Sequence, residues 1–290
     1  MPTQQIASSE LVITPQNRIY HLGLAPEEIA DTIITVGDQT RVSQISKYLD
    51  SIEIQKQNRE FVTHTGYLGN KRLTILSSGI GIDNVEILMT ELDALVNIDF
   101  ETRTPKSTLQ TLKIIRIGTS GSIRAEVEID SFLASKQSVG LDNVLDFYHL
   151  PQTESDLALT KALQETLNLP LQPYCTSCDE DLRQALAFDI PQGNAIAAPG
   201  FYAPQGRELR TPLKRQNYLE KLMQFHWNGF YFTNFEMESS AYYAFGQLLG
   251  HKVLSVNAII ANRKQQRFST NPTQSVEKLI QVLLPRIAQL

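Results

Sequence analysis

The segment APEEIADTIITVGDQTRVSQISKYL, residues 25–49, predicts the structural unit from which the fold is built. Within it, Thr32–Val36 is apolar and β-branched and predicts a strand, and Gly37 and Asp38 predict the turn that ends this strand. The apolar positions between Val42 and Leu49 recur at helical spacing, so a helix is expected directly after the turn. A strand that passes through a glycine turn into a helix is typical of α/β proteins.

The same alternation of strands and helices continues along the rest of the chain. In order, we predict a hairpin that turns at Gly69-Asn70, a helix over 84–97, a strand over 112–123 that runs into a glycine turn, a strand over 196–204 that ends at glycine and proline, a helix over 238–250 that ends at Gly250, a buried strand over 252–263 and a helix over 276–290. This order predicts an α/β fold with a largely parallel or mixed sheet and helices on both faces.

The length and composition of the chain favour one large domain. The sequence has 290 residues, of which 42% are hydrophobic, enough for a substantial core. No repeat or clear linker divides it. Residues 1–19 are polar and are expected to form an extended N-terminal arm, with a single domain over 20–290. Residues 207–232 are rich in charged and aromatic side chains and are expected to form an excursion over the surface.

Charge and cysteine content argue against several classes of protein. The net charge is −5 without a long basic run, so we expect no nucleic-acid partner. Neither a signal peptide nor an apolar run long enough to cross a membrane is apparent, so a soluble cytoplasmic protein without a membrane partner is expected. Cys175 and Cys178 form a lone CxxC without further ligands, which favours two ordinary thiols over a redox or metal site; we predict no metal.

A first group of polar residues at predicted strand ends is suited to phosphate. Gly37 permits close approach of the backbone, Arg41 and Arg116 supply two cations, and Thr119 supplies a hydroxyl. The alternative is that Arg41 is a solvated helix residue and Arg116 belongs to an ion pair in the core. A nearby GIG sequence at 79–81 lacks the last glycine of a dinucleotide fingerprint and is equally consistent with a tight turn.

A second group is suited to a heterocyclic base. Phe201 offers a flat face for stacking, the amide of Gln205 complements an amide or imide edge, and Arg207 offers donors for carbonyl oxygens. The alternative is an ordinary surface turn at Pro204-Gln205-Gly206.

Two glutamates form the third group, in the segment FEMESS at 235–240. Glu236 and Glu238 face the same side if this stretch is extended, and a carboxylate can accept both hydrogen bonds of a ribose diol. Met237 can then pack on the sugar. Alternatively, both are acids at the start of a helix, where the helix dipole favours them.

Taken together, these segments resemble the nucleoside phosphorylase-I family, and within it the uridine-specific branch. The matching segments follow the order of the family and run from residue 20 to 266: YHLGL (20–24), GDQTR (37–41), REF (59–61), SSGIG (77–81), RIGTSGSI (116–123), GFYAPQGR (200–207), FEMESS (235–240) and IIANRKQQ (259–266). The resemblance implies a three-layer α/β/α sandwich around a mixed sheet. It implies reversible phosphorolysis of uridine to uracil and ribose 1-phosphate, with phosphate as co-substrate and no cofactor.

The roles of individual residues are also implied by this resemblance. Arg41, Arg116, Thr119, Arg207 and Glu238 are the expected catalytic residues. Gly37, Arg41, Arg116 and Thr119 are expected to bind phosphate, with Arg59 reaching the site of a neighbouring subunit. His21 is expected to cross the same interface to the ribose, beside Glu236, Met237 and Glu238. Phe201, Gln205, Arg207 and Arg263 are expected at the base. The shared site implies at least a homodimer, and related enzymes are often hexamers built as trimers of dimers.

Two features bear on the alternatives that remain open, a purine or broad-specificity phosphorylase and a nucleosidase that uses water. Purine-specific members of the family often carry an aspartate after the late strand, whereas this chain has IIANR at 259–263, which favours a pyrimidine. The sequence also departs from the family at GDQTR, where a proline is usual, and at Asp83 and Asn84, where small residues are usual. These departures put phosphate affinity and the subunit contact in doubt.

Overall fold

The computed structural model describes residues 5–290 and has an α/β architecture. Its α-helices are α1 (Thr40–Ser46), α2 (Ile82–Asn97), α3 (Glu154–Leu167), α4 (Glu180–Leu186), α5 (Tyr218–Gln224), α6 (Ser239–Leu249) and α7 (Pro272–Ile287). Its strands are β1 (Thr32–Val36), β2 (Ser51–Asn58), β3 (Phe61–Leu68), β4 (Lys71–Ser77), β5 (Ile98–Asp99), β6 (Thr104–Pro105), β7 (Lys113–Ser122), β8 (Phe132–Gly140), β9 (Tyr174–Ser177), β10 (Gln192–Ala197), β11 (His226–Trp227), β12 (Phe230–Tyr231), β13 (Asn234–Glu236), β14 (Lys252–Asn262) and β15 (Arg267–Phe268).

One mixed sheet of 11 strands forms the centre of the molecule. Its order is β15-β14-β8-β10-β13-β7-β1-β4-β3-β2, with β9 paired to β8. Strand β14 also pairs with β7, so the strands β7, β14, β8, β10 and β13 close into a ring. A sheet that closes on itself over part of its width leaves fewer unpaired backbone groups than an open sheet of the same size.

Strand β7 changes its neighbour partway along its length. Its first half pairs with β1, up to the match of Thr35 with Arg116, and its last residues pair with β13 at Gly121 and Ser122. Between these two pairings that side of β7 has no partner strand. Openings of this kind, where neighbouring strands diverge, are where α/β proteins place their ligands.

Helices cover both faces of the sheet. One face packs on α2 and α6, and the other packs on α1, α4 and α7. A third apolar cluster, which includes α3 and α5, covers the closed part of the sheet. The apolar face of α2 is fully buried at Val85, Leu88, Leu92 and Leu95, and each such side chain contributes about 1.5–3 kcal/mol by leaving water. The predicted layered α/β fold around a mixed sheet is therefore confirmed.

Most of the predicted elements are present. Strand β1 has the predicted bounds, the hairpin of β3 and β4 turns at Gly69-Asn70, and α6 ends at Gly250 in a left-handed conformation. The glycine turn expected within 112–123 is wrong, because β7 continues through Ser122. Strand β14 pairs with β7 along this whole length, and its hydrogen bonds outweigh the weak strand propensity of glycine and serine.

The N-terminal segment is tied to the rest of the fold rather than extended. Leu11 and Ile19 are buried in the core, and Ile13 forms a bridge with Ile19. The guanidinium of Arg18 donates to the carboxylate of Glu28 and to the carbonyl of Gly23, which fixes the loop between them. Residues 1–4 of the predicted arm lie outside the described residues, and the division at residue 19 stays a prediction.

The contact between Arg18 and Glu28 gives a pH-dependent prediction. Burial alone raises the pKa of Glu28, but the hydrogen bonds from Arg18 and the Ala25 amide, with the charge of Lys56, lower this pKa below its usual value of 4.5. The contact therefore stabilises the fold fully above pH 4.5, and this contribution is lost as the pH falls through the lower folded-state pKa. We expect Arg18→Ala to reduce the free energy of unfolding by about 1–3 kcal/mol at pH 7 and by much less below pH 4.

Urea unfolding at both pH values measures this difference. Lys47→Ala is the matched control, because it removes an exposed ion pair to Glu277 and should lower the stability at pH 7 far less than Arg18→Ala does. An equal cost for Arg18→Ala at pH 7 and below pH 4 would contradict the assignment.

Candidate active site

A cavity of about 520 Å³ opens where β7 changes its neighbour. It is lined by ten of the residues singled out in the sequence: Gly37, Arg41, Arg116, Thr119, Phe201, Gln205, Arg207, Glu236, Met237 and Glu238. These residues come from four separate parts of the chain; Arg116 and Thr119 lie within β7, and the other three parts follow or end a strand. The structure therefore brings the three predicted groups into one space.

The floor of the cavity is a buried ion triad formed by Arg116, Glu236 and Glu238. Nη2 of Arg116 lies 2.5 Å from Oε2 of Glu238 and 3.5 Å from Oε2 of Glu236. All three side chains are at most 8% exposed. Such burial is tolerated only when every charge is compensated. The prediction of a core ion pair at Arg116 and the prediction of a ligand site are both compatible with this geometry.

The second nitrogen of Arg116 is held by strand β14. Nη1 donates to the amide oxygen of Asn257 at 2.9 Å and to the hydroxyl of Ser255 at 3.2 Å. Burial lowers the pKa of Arg116, but the charges of Glu238 and Glu236 more than compensate and raise it above its usual value. The guanidinium is thus a fixed cation at any physiological pH.

The path of Arg116 requires a glycine two residues further along β7. A Cβ atom at Gly118 would lie 2.1 Å from Nη1 of Arg116 and 2.4 Å from the amide oxygen of Asn257. Because the guanidinium crosses directly over the backbone at this position, no side chain fits there. Gly121, three residues on, has only ordinary contacts, with Ala261 at 3.6 Å.

The two glutamates have different surroundings. Glu236 ends β13, and its carboxylate accepts hydrogen bonds from the amides of Glu238 and Ser239 and from the Ser239 hydroxyl. It therefore caps α6, as the helix-start alternative predicts. Burial raises the pKa of Glu236, and the charge of Arg116 opposes this rise. Glu238 precedes α6, and its Oε1 accepts the amide of Gly81 at 2.9 Å.

Arg41 is a second cation of the cavity, and within residues 5–290 it forms no ion pair. Within residues 5–290, its guanidinium makes no hydrogen bond to another side chain. Burial lowers its pKa, and the charges of Asp38 and Glu238 oppose that change. Thr119 also lines the cavity without a hydrogen bond from its hydroxyl to the described part of the protein. An unpaired guanidinium beside a free hydroxyl is suited to an anion.

Three of the residues predicted to contact a base, Phe201, Gln205 and Arg207, line the same cavity. Arg207 donates to Oε1 of Gln205 and to the carbonyl of Phe201, both at 2.6 Å, and its guanidinium lies 3.8 Å from the centre of the Phe201 ring. Burial and the charge of Arg263 lower the pKa of Arg207 to about 10, which leaves it charged at neutral pH. Arg263 donates to the carbonyls of Gln205 and Gly206 and so supports this turn from outside the cavity.

His21 and Arg59 do not line the cavity of their own chain. They lie together on the surface, where the Tyr20 ring contacts both side chains. Nδ1 of His21 lies 2.7 Å from the carboxylate of Glu91, and Arg59 donates to the Tyr20 hydroxyl at 3.3 Å. The predicted role of these two residues in the site of a neighbouring subunit stays a prediction.

Several residues of the cavity were not predicted. Ser255 and Asn257, which hold Arg116, alternate with apolar residues along β14, and polar residues in so buried a strand were an available signal. The apolar wall formed by Ile260, Ala261 and Phe268 carries no sequence signal of its own. The amide of Gly81 contributes only through its backbone, which a sequence pattern does not reveal.

The remaining predictions concern thiols, metals and membranes. Cys175 and Cys178 are free thiols, and burial raises the pKa of Cys178 to about 11 and that of Cys175 further. Among residues 5–290, no cluster of three or more histidine, cysteine and acidic side chains is placed to hold a metal ion. Within the same range, no helix has the length and apolarity needed to cross a bilayer. The predicted cytoplasmic location stays a prediction.

Comparison with known proteins identifies the family. Residues 31–288 match the model of the phosphorylase superfamily, and the chain belongs to that superfamily. It is 26% identical to a uridine phosphorylase of Thermococcus kodakarensis over 91% of this chain and 85% of the relative. It is also 26% identical to a uridine phosphorylase of Haemophilus influenzae, over 92% of this chain and 96% of the relative. The predicted family is therefore confirmed.

Solved structures agree with this result. A nucleoside phosphorylase of Trypanosoma brucei, described as showing uridine phosphorylase activity, superposes with a TM-score of 0.86 at 26% identity and covers 97% of this chain and 100% of its own. A purine nucleoside phosphorylase of Toxoplasma gondii superposes with a TM-score of 0.66 at 17% identity, over 96% of this chain and 98% of its own, and shares the fold.

The close approach of the Arg116 guanidinium to Gly118 gives a testable prediction, for which Gly121 on the same strand supplies the control. We expect Gly118→Ala to displace Arg116 from Asn257 and to lower the free energy of unfolding by about 2–4 kcal/mol, because the ion triad loses its geometry. Gly121→Ala on the same strand should change it by less than about 1 kcal/mol. Urea unfolding of both variants tests this, and equal stability of the two would contradict the described path of Arg116.

Proposed function

We propose that the protein is a uridine phosphorylase, which converts uridine and phosphate reversibly to uracil and ribose 1-phosphate. The observation that carries this proposal is that one cavity collects Arg41, which has no ion pair within residues 5–290, two carboxylates and a turn that presents an amide and a second guanidinium. Phosphate, the ribose diol and a pyrimidine are the three parts of the reacting complex that need such groups. Membership in the phosphorylase superfamily and the similarity to uridine phosphorylases support the same conclusion.

Phosphate is assigned to the end of the cavity that holds Arg41. Within residues 5–290, its guanidinium and the Thr119 hydroxyl make no hydrogen bond to another side chain, so both can donate to an anion, and Arg116 lines the same cavity. The charged side chains that line the cavity are three arginines (Arg41, Arg116 and Arg207) and three acids (Asp38, Glu236 and Glu238), so their formal charges sum to zero. A phosphate dianion therefore adds negative charge to a cavity that is formally neutral. Arg41 must balance this charge, together with a hydrogen-bond donor from a neighbouring subunit. Holding the anion beside the sugar removes most of the entropic cost of a bimolecular step.

The ribose is assigned to Glu238 and Met237. Oε2 of Glu238 accepts from Arg116 and from the Met237 amide, whereas Oε1 accepts only from the Gly81 amide and keeps a lone pair. Oε1 is therefore able to accept a hydroxyl of the sugar diol. Glu236 is occupied by the start of α6, so its contribution is to hold Arg116 and Glu238 in place.

The base is assigned to the turn that carries Gln205 and Arg207. Because Oε1 of Gln205 accepts from Arg207, the amide nitrogen of Gln205 is left to donate to a carbonyl of the ring. As the glycosidic bond breaks, the leaving uracil gathers negative charge, and the Arg207 guanidinium stabilises that charge as an oxyanion hole does. Phosphate attacks C1′ of a sugar with oxocarbenium character, and no separate general acid is needed.

The end of β14 bears on the choice between pyrimidine and purine. Asn262 occupies this position, and its side chain is fully engaged, donating to the carbonyls of Arg124 and Val127 and accepting the Gln265 amide. It is not an acid and is not free to protonate a purine ring. A purine nucleoside phosphorylase of Colwellia psychrerythraea is nevertheless 24% identical over 81% of this chain and 84% of its own, so purine nucleosides belong in the test.

Phosphorolysis of a panel of nucleosides tests the proposal. Uridine with phosphate should release uracil and ribose 1-phosphate, faster than inosine and not without phosphate. Release of base in water alone would identify a nucleosidase, and preference for inosine a purine phosphorylase. Arg41→Ala should raise the KM for phosphate roughly 30- to 100-fold, and Arg207→Ala should act mainly on uridine, so the two variants serve as controls for each other.

We further propose that the active unit is at least a homodimer, in which His21 and Arg59 of one subunit complete the site of the next. At phosphate concentrations well below the raised KM, Arg59→Ala and Arg41→Ala should each be nearly inactive alone. Mixed by unfolding and refolding together, they should recover about a quarter of wild-type activity, because half of the dimers are mixed and each of those has one intact site. Lack of recovery, with mixed dimers shown by tagged subunits, would place Arg59 outside the shared site.

A further inference from the structure

A second cavity, of about 290 Å³, borders the turn that carries Gln205 and Arg207. It lies between this turn, the segment that follows α3 and the segment that leads into α5. Ala203 and Pro204 line this second cavity, whereas the next residue, Gln205, lines the candidate active site. No residue among 5–290 lines both cavities, so the second cavity is separate from the active site and is linked to it by the turn.

The lining of the second cavity combines apolar walls with positive charge. Seven of its ten lining residues are leucine, proline or alanine, and the other three are Lys214, Arg215 and Tyr218. No acidic residue lines it, and within residues 5–290 neither Lys214 nor Arg215 forms an ion pair. The two cations give the cavity a formal charge of +2, which favours an anionic ligand.

Two hydrogen-bond donors at the second cavity lack acceptors. Nε of Arg215 is buried and makes no hydrogen bond within residues 5–290. Tyr218 is 7% exposed, and its hydroxyl makes no hydrogen bond in the same part of the chain. Burial raises the pKa of Tyr218 to about 12, although the charge of Arg215 opposes this rise, so the phenol is a neutral donor at pH 7. Buried donors without acceptors are unfavourable, and an acceptor that enters the cavity satisfies them.

We propose that the second cavity binds a small organic carboxylate with an apolar body. A guanidinium can hold both oxygens of a carboxylate, which gives Arg215 the acceptors it lacks, and Lys214 adds a second positive charge. The apolar body packs against the leucine and proline side chains, as in most small-molecule sites. A carboxylate suits these walls better than a phosphate dianion, because only one charge has to leave water rather than two.

The bound carboxylate also stabilises the turn beside the active site. A Cβ atom at Gly206 would lie only 3.6 Å from Cδ1 of Tyr218, so the turn already packs against the start of α5. The amide of Gly206 closes this turn by donating to the carbonyl of Ala203 at 2.9 Å. Because the ligand lies between Ala203 and Tyr218, it favours the conformations in which the turn and the helix are packed together. An anion in the second cavity therefore regulates the turn that carries Gln205.

Benzoate is a suitable probe, since it combines one carboxylate with a compact apolar ring. We expect calorimetry to show benzoate binding with a Kd on the order of 1 mM, and much weaker binding of acetate, which lacks the ring, and of benzamide, which lacks the charge. Arg215→Gln should weaken benzoate binding at least about tenfold, and Lys214→Gln should weaken it less. Arg210→Gln is the matched control, because Arg210 is exposed on the same segment and does not line the cavity.

Arg41→Ala distinguishes the second cavity from the active site, because it removes a cation that lines only the latter. This variant should bind benzoate as the wild type does. A loss of benzoate binding in Arg41→Ala would overturn the inference, and so would equal affinities for benzoate, acetate and benzamide. Displacement of benzoate by an equal concentration of inorganic phosphate would also overturn it, since the site would then not select a carboxylate.

Hydrogen exchange, measured by mass spectrometry on the peptide that contains Gly206, tests the link to the turn. Benzoate should slow the exchange of this peptide severalfold in the wild type and leave it unchanged in Arg215→Gln. Unchanged exchange in wild-type protein with benzoate bound would show that the second cavity does not act on the turn. None of these measurements requires uridine or turnover, so they decide the inference even if the proposed function fails.

Discussion

The ion triad of Arg116, Glu236 and Glu238 is the interaction on which the rest of the site depends. It joins the middle of β7 to the junction of β13 and α6, two parts of the chain more than a hundred residues apart. Both carboxylates also bind backbone amides, one at the start of α6 and the other at Gly81. A charge introduced here without its partners would cost several kcal/mol. The triad therefore sets the positions of a helix, a turn and a strand at once.

The two glutamates have different roles because of this arrangement. The carboxylate of Glu236 accepts three hydrogen bonds from groups at the start of α6, so this residue has a structural role. Glu238 also accepts three hydrogen bonds, from Gly81, Arg116 and Met237, but its Oε1 has a single partner and keeps a lone pair for a ligand. The two interpretations of this acidic pair, helix start and ligand site, are each correct for one residue. Chemically identical side chains two positions apart thus differ in role because of which backbone amides they meet.

Much of this arrangement was predictable from sequence, and the reason differs by residue. The strand of Thr32–Val36, the turn at Gly37 and the helix that begins nearby are local features with local signals. The grouping of Arg41, Thr119 and Gln205 followed from the rule that strand ends meet and from similarity to a known family. The closed ring of strands and the pairing of Arg116 with Glu238 depend on contacts between distant segments, and no local pattern encodes them. The continuation of β7 through its glycines has the same origin, since β14 imposes it.

The partial closure of the sheet also limits which strand edges can pair with another molecule. Closing β7, β14, β8, β10 and β13 into a ring leaves β2, β9 and the short β15 as the strands with an open edge. Strand β2 is the longest of these, and it exposes polar and charged side chains, including Glu53, Gln55 and Gln57. Charged and polar edge strands resist pairing with the edges of other molecules. The strands that would pair most readily with another molecule therefore lie inside the ring, next to the cavity. The edge that faces the solvent is the one whose side chains most disfavour such pairing.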